Sequence, residues 1–154
     1  MHAAESRTRR RVLAIIDGSG DLSGRSNQDV VVRASQLAHE LDAELHVATS
    51  YPAVDAVPRN CQVVRYLPAL NVKARDRQRG AIAALLRGLR IHADSTHVEA
   101  GLADVIATLA AKLHADVTVA ASQRDGVAEI LIRYADAPEG GTPTQQAASV
   151  SRQR

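Results

Sequence analysis

Apolar residues recur along the chain in two rhythms that alternate. Val12-Leu13-Ala14-Ile15-Ile16 is an unbroken apolar run closed by Asp17-Gly18-Ser19-Gly20, the pattern of a strand buried on both faces and ending in a turn. After a polar loop, Ser26 with Asp29 three residues on has the form of a capping box, and Val30, Val31, Ala34, Leu37, Ala38 and Leu41 then follow at helical spacing. Glu44 to Ser50 is short and β-compatible, and Pro52 stops it. From Tyr51 to about Pro68 the prolines at 52, 58 and 68 predict a long surface loop. Ile82, Leu85, Leu86 and Leu89 give a second amphipathic helix with a basic outer face of Arg75, Arg77, Arg79, Arg87 and Arg90. Thr96 to Glu99 reads as a third strand, Leu102, Val105, Ile106, Leu109 and Leu113 as a third helix, and Asp116 to Ala121 as a fourth strand.

Strands and helices in strict alternation predict parallel βαβ units with right-handed crossovers, an α/β fold with an open, doubly wound parallel sheet. The last third leaves that rhythm. Val127, Ile130, Leu131 and Tyr134 stand at helical spacing, and from Pro138 onward no fifth strand is legible. The expectation is therefore four strands, with strand five lost, in one domain over residues 10–138. Residues 1–9 are expected to form a flexible leader and 139–154 a flexible tail. Strand four then becomes a sheet edge, which predicts that a second copy of the chain, another protein or the tail covers it.

Composition narrows the chemistry. The chain has 154 residues, is 45% hydrophobic and 23% charged, and its aromatic residues are Tyr51, Tyr66 and Tyr134 alone. That is a globular composition with an aliphatic core. The net charge of +2, with a basic cluster only at Arg7, Arg9, Arg10 and Arg11, does not point to nucleic acid, and no aromatic residues interleave with it. The apolar run behind that cluster is too short for a signal peptide or a membrane span. Cys61 is the single cysteine, which excludes an internal disulfide and fits a reducing cytoplasm. Catalytic residues are not apparent: there is no G-x-S-x-G elbow and no identifiable partner for Cys61. His97 and Glu99 share a strand face, but no H-E-x-x-H or Cys/His cluster accompanies them, so no metal site is expected.

Ile15-Ile16-Asp17-Gly18-Ser19 resembles the start of the universal stress proteins. The resemblance continues through Leu45-His46-Val47, His97-Val98-Glu99-Ala100-Gly101 and Ala115-Asp116-Val117, and covers roughly Arg10 to Pro138. The His-Val-Glu-x-Gly stretch is similar to members that carry two such domains in tandem. The resemblance implies an adenine nucleotide α-hydrolase-like, Rossmann-like sheet, a stress-response function, and adenine or ribose contacts at Asp17 and Ser19. Asp17 has an equally good structural explanation, as the residue that ends the strand and orders its turn.

The family's phosphate loop, Gly-x2-Gly-x9-Gly-(Ser/Thr), is degenerate in this chain. Without gaps its glycines fall on Ala121, Arg124 and Tyr134. With a deletion of about ten residues Gly126-Val127-Ala128-Glu129 matches the closing segment, and the glycines that let backbone N–H groups reach phosphate are gone. The cofactor-binding residues implied are Asp17, Gly18, Ser19, Ser122, Arg124 and Gly126, with Arg124 the nearby cation. The leading expectation is a non-enzymatic stress protein without tight ATP binding that acts through dimerisation or partner binding. The alternatives are an AMP- or ATP-binding protein that uses the Asp17/Ser19 end, and a weak nucleotide hydrolase.

Overall fold

The computed structural model describes residues 9–18, 20–51, 67–101, 104–135 and 146–148. The first strand, β1 (Arg11–Ile16), carries Val12, Ala14 and Ile16 on one face and Leu13 on the other, all fully buried. Helix α1 (Arg25–Glu40) turns Val30, Val31, Ala34, Leu37 and Ala38 inward. Its N-cap is Gly24, with no side-chain cap. Ser26 therefore lies inside the first turn, two positions past the cap, and cannot close the expected capping box.

Strand β2 (Glu44–Tyr51) extends the expected segment by one residue. Helix α2 (Leu67–Leu89) begins earlier than its stripe suggested. Pro68 is compatible with this because the first turn of a helix has no use for that N–H. Residues 52–66, including most of the expected loop and Cys61, lie outside the described residues. Ile82, Leu85 and Leu86 are buried as their spacing predicts. Strand β3 (Ser95–Ala100), helix α3 (Asp104–Lys112) and strand β4 (Val117–Arg124) complete the alternating part.

Two further strands follow, β5 (Val127–Tyr134) and β6 (Gln146–Ala148), and the sheet runs β3-β2-β1-β4-β5-β6. Pairing is parallel from β3 to β4 and antiparallel from β4 to β6. Helices α1 and α2 cover one face, over the large core that includes Val12, Val47, Val119 and Ile132. On the other face α3 covers a smaller cluster of Leu13, Ala48 and Leu109. The doubly wound α/β expectation stands, and three of its details are corrected.

Among the described residues the sheet has six strands rather than four. The parallel fifth strand is replaced by an antiparallel hairpin, whose two-residue turn is Asp125-Gly126 with φ of 53° and 78°. Both angles are positive, as a type I′ hairpin turn requires, and Asp-Gly is among the strongest short signals for one. Residues 127–134 form β5, not a helix. The pattern Val127, Ile130, Leu131, Tyr134 fits a helix, but Ile130 and Ile132 alternate just as well, and they meet the large core. Strand β4 is consequently an interior strand, paired along its whole length from Val117↔Tyr134 to Arg124↔Val127, so it offers a partner no open edge. Three residues of the expected tail pair with β5, from Ile130↔Ala148 to Ile132↔Gln146.

Candidate functional site

The order of strands reverses between β1 and β4: the chain leaves β1 through α1 on one face, and enters β4 from α3 on the other. Open α/β sheets bind ligands in the crevice at such a switch point, beyond the carboxyl ends of the strands. A cavity of about 480 Å³ lies there, lined by Asp17, Asp21, Ser26, Asn27, Ser122 and Gln123, among others.

The wall on the β1 side is fixed by Asn27, which is 5% exposed. Its Oδ1 accepts the Asp17 N–H at 3.0 Å, and its Nδ2 donates to Asp17 O at 3.1 Å and to Leu22 O at 3.3 Å. One amide side chain therefore ties the end of β1 to the start of α1. The Asp17 side chain is exposed. At the rim, Ser23 donates to Asp21 Oδ1 from its hydroxyl at 2.6 Å and from its N–H at 2.9 Å. These two bonds, the hydroxyl first, hold the Asp21 carboxyl below its ordinary value. It is a charged acceptor at neutral pH.

A second recess of about 240 Å³ opens on the other side of the loop after β1, lined by Gly18, Gly20, Tyr51, Ala74, Arg77 and Gln78. Gln78 Nε2 donates to Gly18 O at 3.0 Å, and Thr49 Oγ1 donates to Ile16 O at 3.0 Å. These bonds pin the loop across the end of β2.

Of the residues singled out in the sequence, Asp17 and Ser122 meet around the larger cavity and Gly18 lines the smaller one. Ser19 lies outside the described residues. Arg124 and Gly126 stand at the hairpin tip, both exposed, and line neither space. Asp21, Asn27, Arg77 and Gln78 were not singled out as site residues. Asn27 did leave a trace, as a polar residue within the inward stripe of a helix.

On the α3 side of the sheet His46 Nδ1 and His97 Nε2 are 3.1 Å apart, with the rings stacked at 13° and centroids 5.4 Å apart. His46 Nε2 reaches Glu44 Oε2 at 3.1 Å, and Glu44 also pairs with Arg11 at 3.5 Å. Arg11 Nη1 donates to Leu113 O at 2.7 Å, just beyond the end of α3. Donation from His46 Nε2 to Glu44 leaves its Nδ1 to accept from His97. Burial holds His97 below its ordinary pKa, and the neighbouring His46 adds to this. No three His, Cys, Asp or Glu side chains among the described residues are placed to hold a metal. No described helix is long and apolar enough to cross a membrane.

No protein-family model matches the chain, and no curated protein matches its sequence. Among solved structures, the universal stress protein UspA from Lactobacillus plantarum is similar with a TM-score of 0.56 at 15% identity, over 76% of this chain and 80% of that one. The chain has the universal stress protein fold. Two other structures named for universal stress proteins are similar at lower scores. One, from Burkholderia pseudomallei, has a TM-score of 0.47 at 17% identity over 73% of this chain and 80% of its own. The other, solved in complex with cAMP, has a TM-score of 0.38 at 22% identity over 70% and 68%. Within the universal stress protein fold, both cavities sit at the carboxyl ends of the parallel strands, while the hairpin occupies the outer side of β4.

Proposed function

We propose that the chain is a stress-response protein of the universal stress kind that acts by association rather than catalysis and does not hold ATP tightly. One observation carries the proposal: Ala121 to Arg124 are ladder residues, paired to Ile130 through Val127. A phosphate loop needs consecutive backbone N–H groups turned toward the ligand and a helix start behind them. The charge of the larger cavity supports the same reading. Asp17 and Asp21 contribute carboxylates to it, and none of its lining residues is Lys or Arg. Losing two charge-assisted bonds of about 1.5–3 kcal/mol each weakens a polyphosphate by about a hundredfold or more. Cytoplasmic residence belongs to the same proposal and draws on the single cysteine.

Calorimetric titration of the full chain with adenosine, AMP and ATP tests the reading. The expected result is that added phosphates bring no gain in affinity and that no ATP hydrolysis accompanies binding. ATP that copurifies with the protein in stoichiometric amount would overturn it. A second reading, an adenine nucleotide protein that binds AMP or ATP through the Asp17 end, draws on Arg77 in the recess beside Gly18. It predicts the opposite order, with ATP the tightest ligand and the gain lost in Arg77→Ala.

A further inference from the structure

Helix α2 shows the solvent a face whose charge is one-sided. Its exposed charged residues are Lys73, Arg77, Arg79 and Arg87 against Asp76 alone, whereas α1 mixes the signs, with Arg25, Asp29 and Glu40 exposed. Lys73 and Arg77 stand one turn apart, a like-charge spacing that destabilises a helix. Among the described residues none of the four cations enters an ion pair. The chain as a whole carries only +2, so the excess belongs to this face and not to a generally basic surface.

The same face carries a run of residues with no side chain beyond a methyl group. Gly80, Ala84 and Gly88 recur at i, i+4 and i+8 with Ala83 beside them, and all are exposed. They form a smooth track about 12 Å long. Nothing lies within 4 Å of a Cβ built on Gly80 or Gly88, so no neighbour inside the chain requires glycine there. Each glycine costs the helix stability relative to alanine. An acidic partner relieves the like-charge cost, and close approach of a partner backbone gives the glycines a use. The track also selects the kind of partner. Packed helices approach to about 8 Å where the side chains between them are small, and Gly and Ala admit a helix that closely. Lys73, Arg77 and Arg79 before the track and Arg87 near its far end then face carboxylates along that helix. Nucleic acid fits less well, because among the described residues of α2 no aromatic, Asn or Gln side chain is exposed to stack on or hydrogen-bond a base. A second copy laid α2 against α2 opposes like charges.

We infer that the exposed face of α2 docks an acidic helix of another protein, seated on the track of Gly80, Ala84 and Gly88 with its carboxylates against Lys73, Arg77, Arg79 and Arg87. The inference rests on the association half of the proposed function and gives it a surface. It stands independently of the nucleotide half.

Titration of the full chain with a helical peptide of about 20 residues, an alanine seam flanked by glutamates, tests it beside the same peptide with every Glu replaced by Gln. The Glu peptide is expected to bind at least about tenfold more tightly than its Gln twin at low salt, an advantage that shrinks as salt is raised. Lys73→Glu and Arg87→Glu are each expected to weaken its binding at least about fivefold. Gly80→Leu is expected to weaken it at least about tenfold while raising the thermal unfolding midpoint, because leucine is the better helix former and blocks the track. Those opposite movements separate a blocked surface from a damaged fold. A Glu peptide that binds no better than its Gln twin overturns the inference, as does a Gly80→Leu chain that binds it as well as the wild type. Tighter binding to a DNA duplex or to phosphatidylglycerol vesicles than to the Glu peptide overturns it too. Lys73, Gly80 and Arg87 line neither cavity, so the nucleotide calorimetry reads the same whichever outcome is found and the two readings fail separately.

Discussion

A Cβ on Gly18 would run into the Ser50 carbonyl oxygen and stand 2.7 Å from Thr49 Oγ1, both at the end of β2. The loop after β1 therefore crosses the sheet at a height that only glycine permits. Gly18→Ala is expected to cost about 1–3 kcal/mol, as overpacking does, read as a shift of the urea midpoint at unchanged slope. The sequence pointed to Gly18 through its resemblance to a nucleotide-binding turn. The packing reason was not legible there, because the obstructing atoms belong to a strand some thirty residues away that only tertiary structure brings close. Asn27 was hidden for the same reason: its three bonds all go to backbone atoms outside its own helix.

At the scale of elements, the four parallel strands and three helices were readable because the sequence marks each with apolar residues at the right period. The hairpin was not, although its turn was in plain view. Asp125-Gly126 was absorbed into a family motif as a closing glycine, and the residues after it satisfy helical and strand spacing alike. Gly126 has φ of 78° with open space around its missing Cβ, so a side chain there meets backbone strain and no clash. Gly126→Ala is expected to destabilise the protein by roughly 1–2 kcal/mol. Gly88, in the exposed part of α2 with nothing within 4 Å of its missing Cβ, is the contrasting case. Gly88→Ala is expected to stabilise by roughly 0.5–1 kcal/mol. Thermal unfolding of the two variants, measured side by side, checks that one chemical change acts with opposite sign in the two settings.

The whole molecule feels pH through His97, on the face of the sheet that α3 covers. His97 is held below the ordinary value of 6.5, chiefly by burial and then by His46, with Lys112 in the same direction and Glu99 opposing. As pH falls, the unfolded chain takes up this proton before the folded one does. Stability is therefore complete above about pH 6.5 and is lost as pH falls from there through the lowered folded value. Denaturation midpoints measured on both sides of that pH should show the loss, and His97→Gln should flatten it. An undiminished acid slope in the variant would assign the sensitivity to another group. The replacement of a parallel fifth strand by a hairpin also bears on how the chain folds. A parallel strand joins its sheet only after a crossover has closed, whereas β5 finds β4 through a turn of two residues, an event of about 1–10 μs. The outer end of this sheet is thus the part with the shortest search, and β4 is expected to reach β1 with its neighbour already attached.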